Sequence, residues 1–517
     1  MGVRSSGSKL PAVLLATVIV ALAAFWWRTP GIKSEVPSPP SPAASAESRI
    51  DSIIEHALKS WRAPGAAIGI VRDDRIIYLR GHGIRQVGNS DPVTPDTIFP
   101  LASCTKGFTT LALAMLVDQG KMHWQDPVRK HVPYFHLADP VADADARIED
   151  LITHRIGLAR NDYLWYRSPW DRREIIRRIG LIPPAHPFRT AFEYQTTMFA
   201  VAGCAVEAAS GTSWQAFVQD HITRPLGMKA VGFLPPDNPD LRYAMPHRED
   251  ATGAIHVIPW YPMKEADPAG SINASARDLC QWLRFHLGDG TFDGNRLVSK
   301  GNFDAPHQPH MVIPKTGIAY WMNPETIQLA YGYGWVVQDY HGHRQISHAG
   351  YIDGFRAHLT MLPDDHLGIV LLNNLDGTMM NLALSNSLVD ELLHFPSRNW
   401  DTELSRNSES MNGPQLLSHV SVPLETLNGL AGTYDNKAYG PATISVRRNM
   451  LQWDWNAFHG PLRATKLEGG RIEFQLENEW MHNPSATFSA DQSAKTITVE
   501  IGEPVNVSFT RHENKPH

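Results

Sequence analysis

Only three cysteines, Cys104, Cys204 and Cys280, occur in 517 residues, so a disulfide framework is excluded. No Cys/His spacing resembles a zinc site, and no metal or organic cofactor is expected. A basic excess is also missing. Against 47 basic residues stand 53 acidic ones, a net charge of −6, which leaves nothing to neutralise a phosphate backbone and no reason to expect a nucleic-acid partner. Charged residues make up only 19% of the chain and hydrophobic ones 43%, which excludes solvating and coiled-coil compositions. No repeat of solenoid length recurs. What is left is a globular chain long enough for about three domains, resting on its apolar core.

An apolar run does occupy residues 10–27, with Arg4 and Lys9 before it and Arg28 after it. Its length is near that needed to span a bilayer, and Trp26 and Trp27 suit the interface. Ala21-Leu22-Ala23 offers a cleavage site, but a cut there leaves Phe25-Trp26-Trp27 at the mature end, so an uncleaved signal anchor over residues 1–30 is preferred. Residues 31–47, rich in Pro, Ser and Ala, read as a tether. The anchor predicts an extracytoplasmic (periplasmic) body in the cell envelope, secreted if the signal is cut.

Residues 48–398 read as an α+β domain. Ile50, Ile53, Ile54, Ala57 and Leu58 recur at helical spacing, and residues 66–71 and 75–79 read as strands joined at Asp73-Asp74. Far downstream, residues 355–362 and 368–373 flank a turn at Pro363-Asp364-Asp365, and Leu384, Leu388 and Leu392 mark a closing helix. The economical arrangement is one antiparallel sheet built from both ends of the domain, flanked by helices, with a mostly helical insertion. Residues 399–423 are polar and weakly patterned, a predicted linker. Over residues 424–517 the period becomes two: Leu451, Trp453 and Trp455, then Ile472, Phe474 and Leu476, then Ile497, Val499 and Ile501, alternate with polar neighbours. This predicts a small antiparallel β-barrel.

The sharpest chemical signal is Ser103-Cys104-Thr105-Lys106, opening an almost wholly apolar run over residues 108–117. A buried helix is predicted, with Ser103 and Lys106 at i and i+3 on its first turn. Burial disfavours the charged amine, so a neutral lysine there can take the serine proton, and the helix N-terminus adds a partial positive charge. Ser6-Gly7-Ser8-Lys9 satisfies the same pattern but lies in the signal region.

With Pro100-Leu101-Ala102-Ser103, Leu151-Ile152-Thr153-His154 with Gly157, Pro225-Leu226-Gly227-Met228, Tyr333-Gly334-Trp335 and His348-Ala349-Gly350, the chain resembles the penicillin-recognising serine hydrolases. These comprise class C β-lactamases, low-molecular-weight penicillin-binding proteins, D-aminopeptidases and related esterases. The barrel, opening Leu430-Ala431-Gly432-Thr433-Tyr434, resembles the lipocalin-like module attached to some of them. The resemblance implies a β-lactamase/transpeptidase-like sheet and an acyl-enzyme on Ser103, with Lys106 as general base.

Tyr194-Gln195-Thr196 stands where the family has Tyr-x-Asn, which makes Tyr194 the bridging phenol and Thr196 a substrate contact in place of the asparagine amide. For the third motif, Lys315-Thr316-Gly317 matches literally, yet Pro314 precedes it and no alternating strand surrounds it. His348-Ala349-Gly350 is preferred because it opens the strand, turn, strand, helix series. Ser271-Ile272-Asn273 is set aside in favour of Tyr194. Family geometry implies an oxyanion hole from the backbone N–H groups of Ser103 and Tyr351, with Gly350 allowing close approach. His348 is expected to titrate near neutrality and polarise the site. Packing roles are expected for His154, Arg155 and Cys104. The resulting expectation is a D-aminopeptidase-type amidase or an esterase acting on a small peptide, amide or ester substrate, anchored to the membrane, with self-association as a homo-oligomer left open. The rival expectation is a vestigial scaffold whose barrel binds a ligand or partner.

Overall fold

The computed structural model describes residues 45–233, 243–250, 252–264, 266–409, 419–468, 471–478, 480, 487–491, 496–500 and 506–512. The expected anchor over residues 1–30 and nearly all of the tether lie outside the described residues. Among the described residues no helix is long and apolar enough to cross a membrane.

Residues Glu47–His517 cluster as one unit built on two sheets. Helix α1 (Ala46–Trp61) leads into strands β1 (Gly65–Arg72) and β2 (Arg75–Gly83). The chain then leaves the sheet for a long helical excursion that contains α2 (Thr105–Asp118), α3 (Thr196–Ser210) and α4 (Ala276–Leu287). It returns as β3 (Met311–Val312), β4 (Leu329–Tyr331), β5 (Val336–Tyr340), β6 (His343–Ile352), β7 (Phe355–Leu362) and β8 (Leu367–Asn373), closing with α5 (Met380–Leu393). Spatial order is β2-β1-β8-β7-β6-β5-β4-β3, antiparallel throughout, so the first and last strands of the domain pair with each other, one strand in from the β2 edge, Ala66 opposite Asn373. An antiparallel sheet built from both ends of the domain is thus what the apolar runs at its two ends specify.

The pleat sorts side chains between two cores. Ile68, Ile70, Ile369 and Leu371 face α1 and α5, meeting Ile50, Ile54, Leu384 and Leu388. Ala67, Val370 and Leu372 face the opposite way, meeting Leu279 and Leu283 of α4. Strands covered on both faces read as continuous apolar runs, which is why β1 and β8 are almost wholly buried.

The first part of the expected linker is a helix, α6 (Trp400–Glu409). Trp400 and Leu404 are buried in the α1/α5 core, and Trp400 Nε1 donates to Asp390 Oδ2 at 2.7 Å. Two apolar residues in ten leave too little period to read as a helix; the indole anchors it by tertiary contact.

Eight further strands, β9 (Gly432–Asn436), β10 (Gly440–Arg447), β11 (Met450–Trp455), β12 (Phe458–Glu468), β13 (Arg471–Leu476), β14 (Thr487–Asp491), β15 (Thr496–Glu500) and β16 (Asn506–Arg511), form a closed antiparallel barrel. Trp453, Trp455, Phe458, Phe474 and Phe509 fill it, and β9 pairs with β16, Tyr434 opposite Arg511, so no edge is left open.

Candidate active site

α2 is apolar on every side because it runs through the core: Phe108 stacks on Trp282 at 3.9 Å between centroids, and a Cβ on Gly107 would come within 2.6 Å of the Trp335 indole. Ser103 is not on α2 itself. It sits in a 3₁₀ turn, Ala102–Cys104, immediately before it, entered through Ala102 at φ +45°. A buried alanine in the left-handed region is strained by roughly 1–3 kcal/mol and is held by its surroundings. Leu101 N donates to Ile272 O at 2.8 Å, and Pro100 pairs with Asn273, so the rejected Ser271-Ile272-Asn273 segment braces the strand that feeds this turn.

From the first turn of α2, Lys106 folds back so that its Nζ lies 2.9 Å from Ser103 Oγ and 3.0 Å from the Ala269 carbonyl. The side chain is fully buried, 0% exposed, with Nζ over the rings of Tyr194 (5.0 Å) and Phe199 (5.3 Å). Loss of hydration brings its pKa down to about 7; Asp162 opposes that shift and Arg160 adds to it.

Tyr194 brings its hydroxyl into the same space. The hydroxyl is buried, its pKa is raised by burial, with Ser103 opposing the rise, and it has no well-aligned hydrogen-bond partner among the described residues. Behind it lies His154, 0% exposed, its ring 4.2 Å from that of Tyr194 and its Nδ1 accepting from Gln195 N at 3.0 Å. His154 thus has the packing role expected of it, and the thing it packs is the backbone that presents Tyr194. Thr196 begins α3 and is 3% exposed.

β6 forms the other wall. Gly350 packs so tightly on the turn that carries Ser103 that a Cβ there would collide with Leu101 O. Gly350→Ala should therefore lower stability by roughly 1–3 kcal/mol and lower activity with it, read by thermal melting and ester turnover; an unchanged melting temperature would show the turn is not wedged there. Tyr351 follows, half-exposed at the mouth.

His348 differs from expectation. Its Nδ1 donates to the carbonyl of Ala349 at 2.7 Å, and its Nε2 accepts from the Tyr331 hydroxyl at 2.9 Å. With 4% exposure, desolvation first and the Lys106 charge second hold its pKa down to about 3. It is a neutral acceptor of fixed tautomer, not a group titrating near neutrality. Tyr331, 1% exposed on β4, was missed; the doubled Tyr-Gly pair Tyr331-Gly332-Tyr333-Gly334 was its signal. Lys315 lies on a different segment: its Nζ bonds the carbonyls of Pro324 and Thr326 beside the short helix Gly317–Met322. The structure brings Ser103, Lys106, Tyr194, Gly350 and Tyr351 together, with the His348 ring 6.2 Å from that of Tyr194. Cys104 is a buried filler, its thiol pushed up to about 12 by burial.

A family model described as Beta-lactamase matches residues 50–393, which spans every one of these side chains. The chain belongs to the Beta-lactamase family. Among similar curated proteins are the unguisins hydrolase ungD of Aspergillus violaceofuscus, 26% identical over 80% of this chain and 78% of that one, and Protein flp of Staphylococcus aureus, 25% identical over 64% of each. Among solved structures, the octameric penicillin-binding protein homologue from Pyrococcus abyssi superposes with a TM-score of 0.59 at 20% identity, covering 89% of this chain and 99% of that one. EstCE1, a hydrolase with promiscuous acyltransferase activity, gives 0.57 at 18% identity over 68% of this chain and 98% of its own. Within this β-lactamase-family site the described residues contain no cluster of three His, Cys, Asp or Glu side chains that could hold a metal.

Proposed function

We propose that the protein hydrolyses small amides or esters through an acyl-enzyme on Ser103. The observation that carries this reading is a fully buried Lys106 amine 2.9 Å from Ser103 Oγ, because the chemistry needs an uncharged base within hydrogen-bond reach of the nucleophile. As Oγ bonds to the substrate carbonyl carbon, its proton passes to Lys106 Nζ. The carbonyl oxygen gains the negative charge and is met by the N–H groups of Ser103 and Tyr351. Collapse breaks the bond to the leaving group, which takes a proton from Tyr194, and Tyr194 is reprotonated from Lys106. Water then attacks the acyl-enzyme, losing its proton along the same path in reverse, and Ser103 is regenerated.

A neutral His348 gives β6 no cation for a substrate carboxylate on that side, which favours D-aminopeptidase-type amide or ester hydrolysis over β-lactam hydrolysis. The two proteins named as hydrolases among those it resembles, the unguisins hydrolase and EstCE1, support the same class. We place the enzyme in the cell envelope on the strength of the apolar run at residues 10–27, and read the barrel as a non-catalytic, lipocalin-like module. The octameric relative supports a homo-oligomer.

A p-nitrophenyl ester and a D-amino-acid p-nitroanilide should be turned over faster than a chromogenic cephalosporin; turnover of the cephalosporin alone would overturn the assignment. Because Lys106 acts as the free amine, kcat/KM should fall about tenfold per pH unit below an apparent pKa near 7 and level off above it. A profile flat from acid to alkaline pH would remove Lys106 from the role of base.

A further inference from the structure

Outside the catalytic centre, two histidines are buried together against Trp335. His286, in the last turn of α4, is 7% exposed, and His307, closing the 3₁₀ turn Ala305–His307, is 6% exposed. Their rings lie 5.1 Å apart and are inclined at 72°. The cage around them is aromatic: Trp282 is 4.3 Å from His286, Phe303 is 5.7 Å from His286 and 4.8 Å from His307, and Trp335 is 5.1 and 5.9 Å from the two. Neither ring nitrogen of His286 has a hydrogen-bond partner among the described residues, and neither has His307 Nε2. The Phe303 carbonyl accepts from the His307 ring, which places that proton on Nδ1 and leaves a lone pair on Nε2. Burial keeps both imidazoles neutral, His307 down to about 4, where Arg344 adds to the shift and Asp304 opposes it, and His286 well below the usual range.

Such a pair does not serve stability. A buried polar atom without a partner costs its desolvation, and phenylalanine would make the same aromatic contacts without that cost. What the pair supplies is a set of ligands. A cavity of about 30 Å³ is lined by His286 and His307 and, from β7, by Met361, which is 1% exposed. That is room for one ion or one water, not for an organic molecule. Asp304 and Arg344 also line it, but each charge is already met, Asp304 by Lys300 at 3.0 Å and Arg344 by Asp364 at 3.0 Å. Two imidazole nitrogens and a thioether make a soft, uncharged set of three donors. Calcium and magnesium require oxygen ligands, and zinc takes four ligands and would bring an uncompensated double charge among neutral groups. The thioether selects copper in its singly charged state.

We infer that His286, His307 and Met361 form a binding site for a cuprous ion, Cu(I), separate from the hydrolytic centre. Each ring gives one nitrogen lone pair and Met361 its sulfur; the ion is bound as Cu(I) and no electron is transferred. Trp335 packs on this pair and also on Gly107, the residue after Lys106, where a Cβ would come within 2.6 Å of the indole. An ion that fixes both rings therefore stiffens the packing behind the proposed base. The site itself is independent of the reaction proposed above.

Anaerobic titration of the full chain with Cu(I) buffered by bicinchoninate tests it. One equivalent should pass to the protein, X-ray absorption should show two nitrogens and one sulfur around copper, and the melting temperature should rise by about 2–4 °C. His286→Phe keeps the aromatic packing and removes a ligand, so affinity for Cu(I) should fall at least about 100-fold, with no loss of melting temperature in the metal-free protein. Met361→Leu conserves volume and should cost about tenfold in affinity. Cys204→Ser, which removes the one thiol that is not fully buried, should bind as the unaltered chain does. No transfer of copper from bicinchoninate, affinity unchanged in either His286→Phe or Met361→Leu, loss of binding in Cys204→Ser, or tighter binding of Zn(II) than of Cu(I) would each overturn the inference. All of these outcomes leave the hydrolase reading intact, because none touches Ser103 or Lys106.

Discussion

Replacing Ser103 by alanine should cost about 10⁴–10⁶ in kcat/KM, Lys106→Ala should cost nearly as much, and the double variant should be scarcely worse than either alone. The reason is geometric. Lys106 Nζ makes its close approach to Ser103 Oγ inside a site that leaves the amine 0% exposed, so without the serine the base has no proton to take and without the base the hydroxyl is a poor nucleophile. Steady-state hydrolysis of a p-nitrophenyl ester by the four proteins, with circular dichroism to establish folding, gives the cycle. Losses that multiply would show two independent contributions and break the assigned pair.

The second large effect concerns the phenols. Tyr194→Phe removes the proton relay and should lower kcat about 10²–10⁴-fold, with KM moving little. His348 fixes the Tyr331 hydroxyl, and the rings of both His348 and Tyr331 lie 6.2 Å from that of Tyr194. His348→Leu leaves that hydroxyl buried without its acceptor, and an activity loss of about tenfold or more is expected. His348→Gln, whose amide oxygen can accept from Tyr331, should recover part of it, which a merely space-filling role would not produce. Lys315→Ala should stay within about twofold, because Lys315 bonds only backbone carbonyls away from β6. Loss of activity on removing Lys315, with His348→Leu unaffected, would reverse the choice of strand.

The parts of this protein legible in its sequence are those with a period. β1 and β8 are short apolar runs, several barrel strands alternate, and α2 announces itself by a run of apolar residues behind Ser103, so the α+β class with a terminal barrel could be read directly. The approach of Lys106 to Ser103 was legible because three residues of turn suffice to bring them together. Relations that depend on chain crossings were not. Tyr331 and His348 stand 17 residues apart on strands β4 and β6, which do not pair with each other, and the burial they share where the chain brings them together is what keeps an expected titrating histidine neutral. Asn161 and Tyr439 are 278 residues apart, and nothing in either neighbourhood signals that they meet. Helix α6 was hidden for the opposite reason: its local pattern is weak, and Trp400 supplies its stability from the tertiary side.

The most direct measurement is covalent. Full-length protein treated with a fluorophosphonate, digested and mapped by mass spectrometry, should carry one adduct, on Ser103, with a labelling rate that rises through an apparent pKa near 7 and collapses in Lys106→Ala. An adduct on any other residue, or a folded protein that takes up no label at any pH, would contradict the assignment of Ser103 and Lys106 and leave the β-lactamase-like body as a scaffold.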